Sequence, residues 1–244
     1  MFRAEFHIHT DASHDSLMTA RALLRKCLEK SIDCVAITDH NELKGAIALK
    51  PLFAENGIDV IVGEEVFTAE GEIIGLWLTE RIEPNLTPEQ TVAEIKRQGG
   101  AVYVPHPYDT KRSRTVLSHD ALLRIAGDID CIEVHNGRNI EDYFDGEQEN
   151  AYARAAAVNP FIRRVVGCDA HCDFEVGRNV VTTEAAIVRE NFPACLDGAS
   201  FDVSSCHPKA HASTRKVRLV KMIKGGDFRG IARVLARKFS RRIA

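Results

Sequence analysis

Two histidines near the N-terminus have the type and spacing of metal ligands. His7 and His9 lie in the segment Ala4–His9, which reads as a short strand, and the turn Ser13-His14-Asp15 follows closely. Residues two apart on a strand point to the same face, so both imidazoles are expected to converge. Imidazole and carboxylate groups bind divalent transition metals in proteins. The segment therefore predicts the start of a metal site, with a buried strand carrying two hydrogen-bonded histidines as the alternative.

Similar side chains follow other short apolar segments. They are Asp39 and His40, Glu64 and Glu65, His106, Glu133 and His135, and Asp169 and His171. The alternation of these segments with helical stretches predicts an α/β fold with mainly parallel strands. In α/β barrels the active site is built from the carboxyl ends of several strands. One metal site at that end of a barrel is thus predicted.

Composition limits the protein class. The 244 residues are 45% hydrophobic and 27% charged, as in a soluble domain with a sizeable core. No apolar run approaches the roughly 20 residues of a membrane span. The seven cysteines form no Cys-x-x-Cys pair, which favours reduced thiols and a cytoplasmic location.

Taken in order, seven motifs resemble the PHP family, named for polymerase and histidinol phosphatase domains. They are His-Ile-His-Thr at 7–10, Ser-His-Asp-Ser at 13–16, Ile-Thr-Asp-His-Asn at 37–41, Gly-Glu-Glu-Val at 63–66, His-Pro at 106–107, Ile-Glu-Val-His-Asn-Gly at 132–137 and Gly-Cys-Asp-Ala-His at 167–171. The resemblance covers residues 1 to about 185. It implies a distorted (β/α)7 barrel that holds two to three divalent ions (Mn, Zn or Fe) at the carboxyl ends of its strands and hydrolyses phosphate esters.

The resemblance also implies a ligand set. One ion would take His7, His9, Glu65 and Asp169; Glu65 would bridge to a second ion that also takes His106; a third would take Asp15, His40 and His171. Adjacent strand residues point oppositely, so only one of Glu64 and Glu65 can face the ions, and the family pattern selects Glu65. His14 replaces Asp15 if that turn is shifted by one residue.

One position departs from the family. Many relatives have a histidine ligand just after the glycine that corresponds to Gly71, whereas this chain has Glu72. A carboxylate can bind the same ions, so Glu72 is a candidate ligand. The alternative is that the second ion is weakly bound or absent.

The chemistry implied is attack on phosphorus by a metal-bound hydroxide, with Asp169 in the cluster that bears the nucleophile. His40 or His171 would protonate the leaving group where it is not engaged as a ligand. Arg138 and Arg178 are candidates to bind the substrate phosphate, with Lys111 and Arg112 as a second choice.

The expected substrate is a small phosphorylated metabolite or a nucleotide. Alternatives are a protein-tyrosine phosphatase linked to polysaccharide synthesis, a nuclease that trims nucleotide ends, and a non-catalytic metal-bound module that binds a partner.

The chain is predicted to comprise a catalytic barrel, residues 1–205, and a linker with a basic amphipathic tail, residues 206–244. Residues 215–244 carry a net charge of +10 and the preceding residues a net charge of -13. Within the tail an apolar stripe lies among the basic residues: Ile231, Val234, Leu235 and Phe239. This pattern predicts peripheral contact with an anionic membrane, on the inner face of the cell membrane, with catalysis retained by residues 1–214. Packing of the stripe on the acidic barrel is the alternative, and nucleic-acid binding is less favoured.

Three tail residues, Cys206, His207 and His211, have loosely zinc-like spacing. They lack a visible fourth ligand, so we interpret this segment as a linker.

Overall fold

The computed structural model describes residues 1–109, 112, 114–139, 146–228 and 230–231. The strands in this part of the chain are β1 Phe2–Ile8, β2 Cys34–His40, β3 Asp59–Thr68, β4 Gly71–Leu76, β5 Ala101–Val104, β6 Cys131–Asn136, β7 Arg163–Ala170, β8 Val180–Thr183 and β9 Ser200–Asp202. The α-helices are α1 Ala20–Lys30, α2 Lys44–Ala54, α3 Pro88–Arg97, α4 His119–Ile125, α5 Glu147–Ala156 and α6 Ala210–Lys224.

Strands β1 to β7 form a closed barrel. Each pairs with the next along the chain, and β1 pairs with both β2 and β7. The seven-stranded α/β barrel predicted from the sequence is therefore confirmed. Strands β8 and β9 extend the sheet from the first half of β1 as antiparallel neighbours, which the sequence analysis did not predict.

Strand β4 runs against its two neighbours and distorts the barrel. It is antiparallel to β3 and to β5, whereas the other barrel pairs are parallel. Residue Gly71 begins the strand with φ of 128°, a conformation that favours glycine, and an added Cβ would collide with the backbone at Leu117. Because β4 is reversed, its first residues lie where the parallel strands end. This places Glu72, opposite Phe67 of β3, at the site end of the barrel.

The outer helices begin where their sequences indicate. Thr19 caps α1, and Thr87 caps α3 in a capping box with Gln90, with a proline in the first turn. Helix α2 starts at Lys44 and continues through Pro51. Helix α5 begins at Glu147, and residues 140–145 before it lie outside the described part of the chain.

Apolar side chains fill the barrel and the layer around it. One buried cluster draws Phe6, Ile74 and Tyr103 from three barrel strands, with the Phe6 and Tyr103 rings 6.2 Å apart. A second packs Ile95 of α3 and Ile125 of α4 against the outside of the strands. Burial of these side chains holds the strands in register and so fixes the positions of the residues at their ends.

The C-terminal segment contains α6, but most of the predicted apolar stripe lies outside the described residues: Val234, Leu235 and Phe239. Ile231 is described and half-buried. Within the described residues no helix is long and apolar enough to cross a membrane.

Candidate metal centre

The nine candidate ligands lie in one cluster at the end of the barrel where the parallel strands finish. Eight are buried and the His40 side chain is 10% exposed. Glu65 lies at the centre: its carboxylate is 3.3 Å from His7 Nε2, 3.3 Å from His9 Nε2 and 3.0 Å from His106 Nε2. Asp169 Oδ1 lies 3.7 Å from His7 Nε2 and 3.4 Å from His9 Nε2. The structure thus brings together all four residues predicted for one ion: His7, His9, Glu65 and Asp169.

The residues predicted for a third ion form the neighbouring part of the cluster. Asp15 Oδ1 lies 3.3 Å from His171 Nε2, and Asp15 Oδ2 lies 3.6 Å from His40 Nε2. His171 stands between the two aspartates, with its Nδ1 3.4 Å from Asp169 Oδ1. His14 is mostly exposed and 3.8 Å from Asp15, at the edge of the cluster.

Glu64 and Glu65 point in opposite directions, as strand geometry requires. Glu64 Oε2 accepts a hydrogen bond from the backbone N–H of Ile82, away from the histidines. Glu72 is buried in the cluster, 3.5 Å from His40 Nδ1 and 3.6 Å from His106 Nε2. Burial and the nearby Glu65 carboxylate raise the pKa of Glu72 well above its usual value. A divalent cation bound beside Glu65 and Glu72 would offset the negative charge of these carboxylates.

Three of these residues adopt left-handed backbone conformations, which are unfavourable for residues other than glycine. The φ angles are 66° at His7, 32° at His106 and 54° at Asp169. Between β1 and β2 the register also shifts: Glu5 pairs with Val35 but Ile8 pairs with Ile37, so β1 contains one extra residue in the stretch that includes His7. Such strain and strand irregularities cluster at functional sites. The imidazoles of His7 and His9 therefore converge on Glu65 because of a bulge in β1 as well as strand alternation.

Three histidines have their Nδ1 atoms engaged, which leaves Nε2 directed at the carboxylates. His7 Nδ1 donates to Glu133, 2.7 Å away, and His171 Nδ1 donates to the Asp169 carbonyl, 2.9 Å away. His9 Nδ1 lies 3.2 Å from Ser13 Oγ, and that hydroxyl donates to Asp39. A metal-bound histidine characteristically donates its other N–H in this way.

Glu133, which the sequence places at a strand end without assigning it a ligand or catalytic role, supports the site through four hydrogen bonds. Besides His7, it accepts from the Tyr103 hydroxyl (2.6 Å), the His106 backbone N–H (2.6 Å) and Asn136 (2.9 Å). A Cβ on Gly167 would collide with this carboxylate, so only glycine leaves room for it. Burial alone would raise the pKa of Glu133, but His7, His106 and the Tyr103 hydroxyl together outweigh burial and lower the pKa. The ionised Glu133 can therefore orient two candidate ligands.

Asp39 acts on the site indirectly. Its carboxylate accepts hydrogen bonds from the Thr10 backbone and hydroxyl, each 2.6 Å, and from Ser13 Oγ, 2.9 Å. Ser13 lies between Asp39 and His9, so Asp39 supports a candidate ligand histidine through a hydroxyl group. Ser13 Oγ also accepts from the backbone N–H of His40.

Unpartnered buried atoms test whether metal ions fit this cluster. The buried side-chain atoms without a hydrogen-bond partner include four in this cluster: His7 Nε2, His9 Nε2, Asp15 Oδ1 and Glu72 Oε2. Leaving such atoms buried without a partner costs about 1–3 kcal/mol each. Divalent cations would satisfy them and offset the carboxylate charge, and the mixed imidazole and carboxylate donors suit Mn, Zn or Fe. Groups of three potential ligands occur throughout the cluster, for example His7, His9 and Glu65.

A cleft of about 940 Å³ opens onto the cluster. Five candidate ligands line it: Asp15, His40, Glu72, Asp169 and His171. Five arginines line it as well: Arg112, Arg114, Arg138, Arg215 and Arg218. The cleft therefore combines a predicted metal centre with a cationic wall.

The predicted substrate-binding residues are placed differently. Arg138 lines the cleft but is buried, and its guanidinium donates to Glu175 (2.9 Å) and to Thr214 (2.5 Å). Arg178 donates to the Ser205 carbonyl and is not part of the cleft wall. Arg112 reaches Asp169 at 2.5 Å, while Lys111 lies outside the described residues.

Helix α6 lies against the same end of the barrel, so the basic segment is not remote from the site. Arg218 donates to Asp15 Oδ2 from two nitrogens, at 2.6 and 3.2 Å. His211 contacts the Arg138 carbonyl, and the groups of potential metal ligands among the described residues do not include Cys206, His207 or His211. The expectation that residues 1–214 suffice for catalysis stays a prediction, although that boundary excludes Arg218, which contacts the candidate ligand Asp15. The division at residue 205 stays a prediction.

The closed α/β barrel and its buried cluster of histidines and carboxylates define a metal-dependent hydrolase. The chain belongs to the PHP domain family, whose family model matches residues 5–168. Two proteins of Methanocaldococcus jannaschii are similar in sequence. MJ1587 is 44% identical over 116 residues, covering 43% of this chain and 68% of that protein. MJ0417 is 34% identical over 179 residues, which cover 72% of this chain and 68% of that protein.

Three solved structures share the fold at low sequence identity. A Bifidobacterium adolescentis protein ascribed metal-dependent phosphoesterase activity is 17% identical, with a TM-score of 0.57 over 72% of this chain and 88% of that one. PsfC from Pseudomonas syringae is 19% identical, with a TM-score of 0.55 over 91% of this chain and 99% of that one. An amidohydrolase from Chromobacterium violaceum, with bound sulfate and no metal, is 15% identical, with a TM-score of 0.55 over 88% and 96%.

Proposed function

We propose that this protein is a metal-dependent phosphoesterase that hydrolyses a small phosphorylated metabolite or a nucleotide. The observation that carries the proposal is the cationic wall of the cleft beside the metal centre. Among the described residues, no carboxylate pairs with Arg114 or with Arg215, although both line the cleft. Unpaired guanidinium groups beside a metal centre favour an anionic substrate, and their planar fork matches phosphate oxygens.

The sulfate bound to the Chromobacterium violaceum amidohydrolase gives related support, because sulfate has the tetrahedral shape and the charge of a phosphate group. The name of the Bifidobacterium adolescentis protein points to the same reaction class. A neutral amide substrate would offer no anionic partner to Arg114 and Arg215, the two cleft arginines that pair with no carboxylate among the described residues.

Divalent ions bound by the cluster would supply an activated water and offset the charge of the phosphoryl group. The residues that would hold them are His7, His9, Asp15, His40, Glu65, Glu72, His106, Asp169 and His171. His171 has its Nδ1 hydrogen on the Asp169 carbonyl, so its Nε2 is left for a ligand role. His40 lines the cleft with both ring nitrogens facing carboxylates, and in an ion set that does not engage it as a ligand it is the better candidate to protonate the leaving oxygen.

The test is a screen of p-nitrophenyl phosphate, phosphorylated metabolites and nucleotides with protein loaded separately with Mn, Zn and Fe. A chromogenic amide is assayed in parallel. We expect phosphate release that is abolished in His9→Ala and Asp169→Ala and unchanged in Lys50→Ala, an exposed position on α2. Ion binding without phosphate release from any compound would favour the non-catalytic binding module instead. Turnover of the amide alone would favour an amidohydrolase.

A further inference from the structure

Helix α6 presents polar residues to the metal centre and apolar residues to solvent. Four residues on one side of the helix contact the barrel: His211, Thr214, Arg218 and Lys221. Three large apolar residues elsewhere on it are exposed by 41, 38 and 56%: Leu219, Val220 and Ile223. A helix that packs by apolar burial has the opposite arrangement. The polar contacts therefore decide where α6 docks.

The central contact is between Arg218 and Asp15. Arg218 Nη2 and Nε lie 2.6 and 3.2 Å from Asp15 Oδ2. Asp15 is fully buried, and its other oxygen, Oδ1, has no hydrogen-bond partner and lies 3.3 Å from His171 Nε2. The guanidinium thus holds the outer oxygen of the carboxylate and leaves the inner oxygen facing the histidines.

A second arginine has the same relation to a second candidate ligand. Arg112 Nη2 lies 2.5 Å from Asp169 Oδ2, while Asp169 Oδ1 lies 3.4 Å from His9 Nε2. The two arginines come from unrelated segments, the β5–α4 connection and α6. Their shared geometry indicates one role, which is to fix a carboxylate in a one-oxygen orientation towards the centre.

Helix α6 also holds the loop after β1. Lys221 Nζ donates to the carbonyl oxygens of Asp11 and Ser13, at 2.6 and 2.5 Å. The Ser13 hydroxyl in turn lies 3.2 Å from His9 Nδ1. The helix therefore reaches the candidate ligands by two routes.

We propose that α6 is an integral part of the metal centre and that Arg218 is a positioning residue for Asp15. In this arrangement Arg218 keeps Asp15 Oδ1 directed at the place where an ion would bind with His40 and His171. The inference rests on the ion set of the proposed function and is independent of its substrate. It assigns a role to a segment beyond residues 5–168, the part that the family model matches.

Calorimetric titration of the ion-stripped full-length chain with Mn²⁺ tests this role. Arg218→Ala should weaken one ion site by 10–100-fold, as loss of a partner that orients a ligand does, and leave the others unchanged. The direction of the change in Mn²⁺ affinity separates a positioning role from a simple charge effect. By Coulomb's law alone, removing a positive charge beside the site would strengthen cation binding. Arg218→Lys keeps the charge and should restore part of the lost affinity.

Lys216→Ala is the matched control, because it removes one positive charge from an exposed position on the same helix and should not weaken any site. Circular dichroism and melting temperature check that the variants fold. If Arg218→Ala does not fold, the Mn²⁺ affinity of Arg218→Lys is compared with that of wild type instead. Unchanged Mn²⁺ affinity in Arg218→Ala, with only a raised KM, would overturn the proposal and place Arg218 at the substrate. A wild-type chain that binds no ion would instead refute the proposed function.

Discussion

His7 Nδ1 lies 2.7 Å from Glu133 Oε1, so a residue on β6 sets the orientation of a candidate ligand on β1. The same carboxylate accepts the His106 backbone N–H and the Tyr103 hydroxyl. Glu133 therefore connects two candidate ligands to the barrel core. Because it fixes which nitrogen of His7 carries the hydrogen, it also determines which nitrogen faces Glu65.

Glu133→Gln should weaken metal binding by about 10–100-fold, since the amide keeps the shape of the side chain but loses the charge that orients His7. Tyr103→Phe removes one neutral donor to the same carboxylate and should have a smaller effect. The measurement is ion affinity by competition with a chelating dye. The control is Glu149→Gln on α5, which removes the charge of Glu149 from an exposed ion pair with Arg164 of β7. Equal affinities in wild type and Glu133→Gln would mean that the backbone alone orients His7.

Removal of the ions should lower both activity and stability. We expect at least two divalent ions per chain, because the nine candidate ligands lie in one buried cluster with several unpartnered atoms. At a free ion concentration of 100 times Kd, a single site stabilises the fold by about 2.7 kcal/mol. Chelation should therefore lower the melting temperature, and added Mn, Zn or Fe should restore it. Elemental analysis that finds less than one ion, after purification without chelator, contradicts this expectation.

Variants of Glu72 distinguish the two roles left open for this residue. Glu72→Ala should weaken one ion by about 10–100-fold if its buried carboxylate serves as a ligand or supports one. Glu72→His should be tolerated and should change the preference among Mn, Zn and Fe, because imidazole is a softer donor. Ion content and phosphate release are measured for both variants. If both match wild type, the second site does not depend on Glu72.

The sequence predicted the barrel because its evidence was local. Alternating strands and helices, a Thr87-Pro88 helix start and polar residues after apolar segments are all readable within short windows. The reversal of β4 was not predicted, since a short apolar strand after a turn reads the same in either direction. Its consequence, the arrival of Glu72 at the site end, follows only from the observed pairing with Phe67.

The supporting residues of the site could not be predicted because their partners are far away in the chain. Glu133 contacts His7 across 126 residues, and Arg218 contacts Asp15 across 203 residues. No spacing rule relates such pairs. The bulge at His7 was hidden for a different reason: strand alternation gave the expected convergence of His7 and His9 without revealing the left-handed φ of 66°.

The last prediction concerns the outer surface of α6. The exposed residues Leu219, Val220 and Ile223 lie on a helix that is flanked by basic residues, and residues 215–244 carry a net charge of +10. Apolar side chains with surrounding lysine and arginine suit the surface of an anionic membrane, where each basic residue contributes about 1 kcal/mol. We therefore expect the full-length protein to sediment with phosphatidylglycerol vesicles at low salt.

Added salt should weaken this binding, because the attraction between basic residues and lipid phosphates is screened within about 10 Å at 0.1 M ionic strength. Ile223→Asp should weaken it as well, by placing a charge in the apolar surface and reducing the positive charge. Phosphatidylcholine vesicles and Glu190→Gln, at an exposed site outside α6, serve as controls. Protein that stays in the supernatant with phosphatidylglycerol at low salt would show that the basic segment acts within the molecule. In that case Ile223→Asp should leave solubility unchanged or improve it, since the exposed apolar surface would then have no lipid to meet.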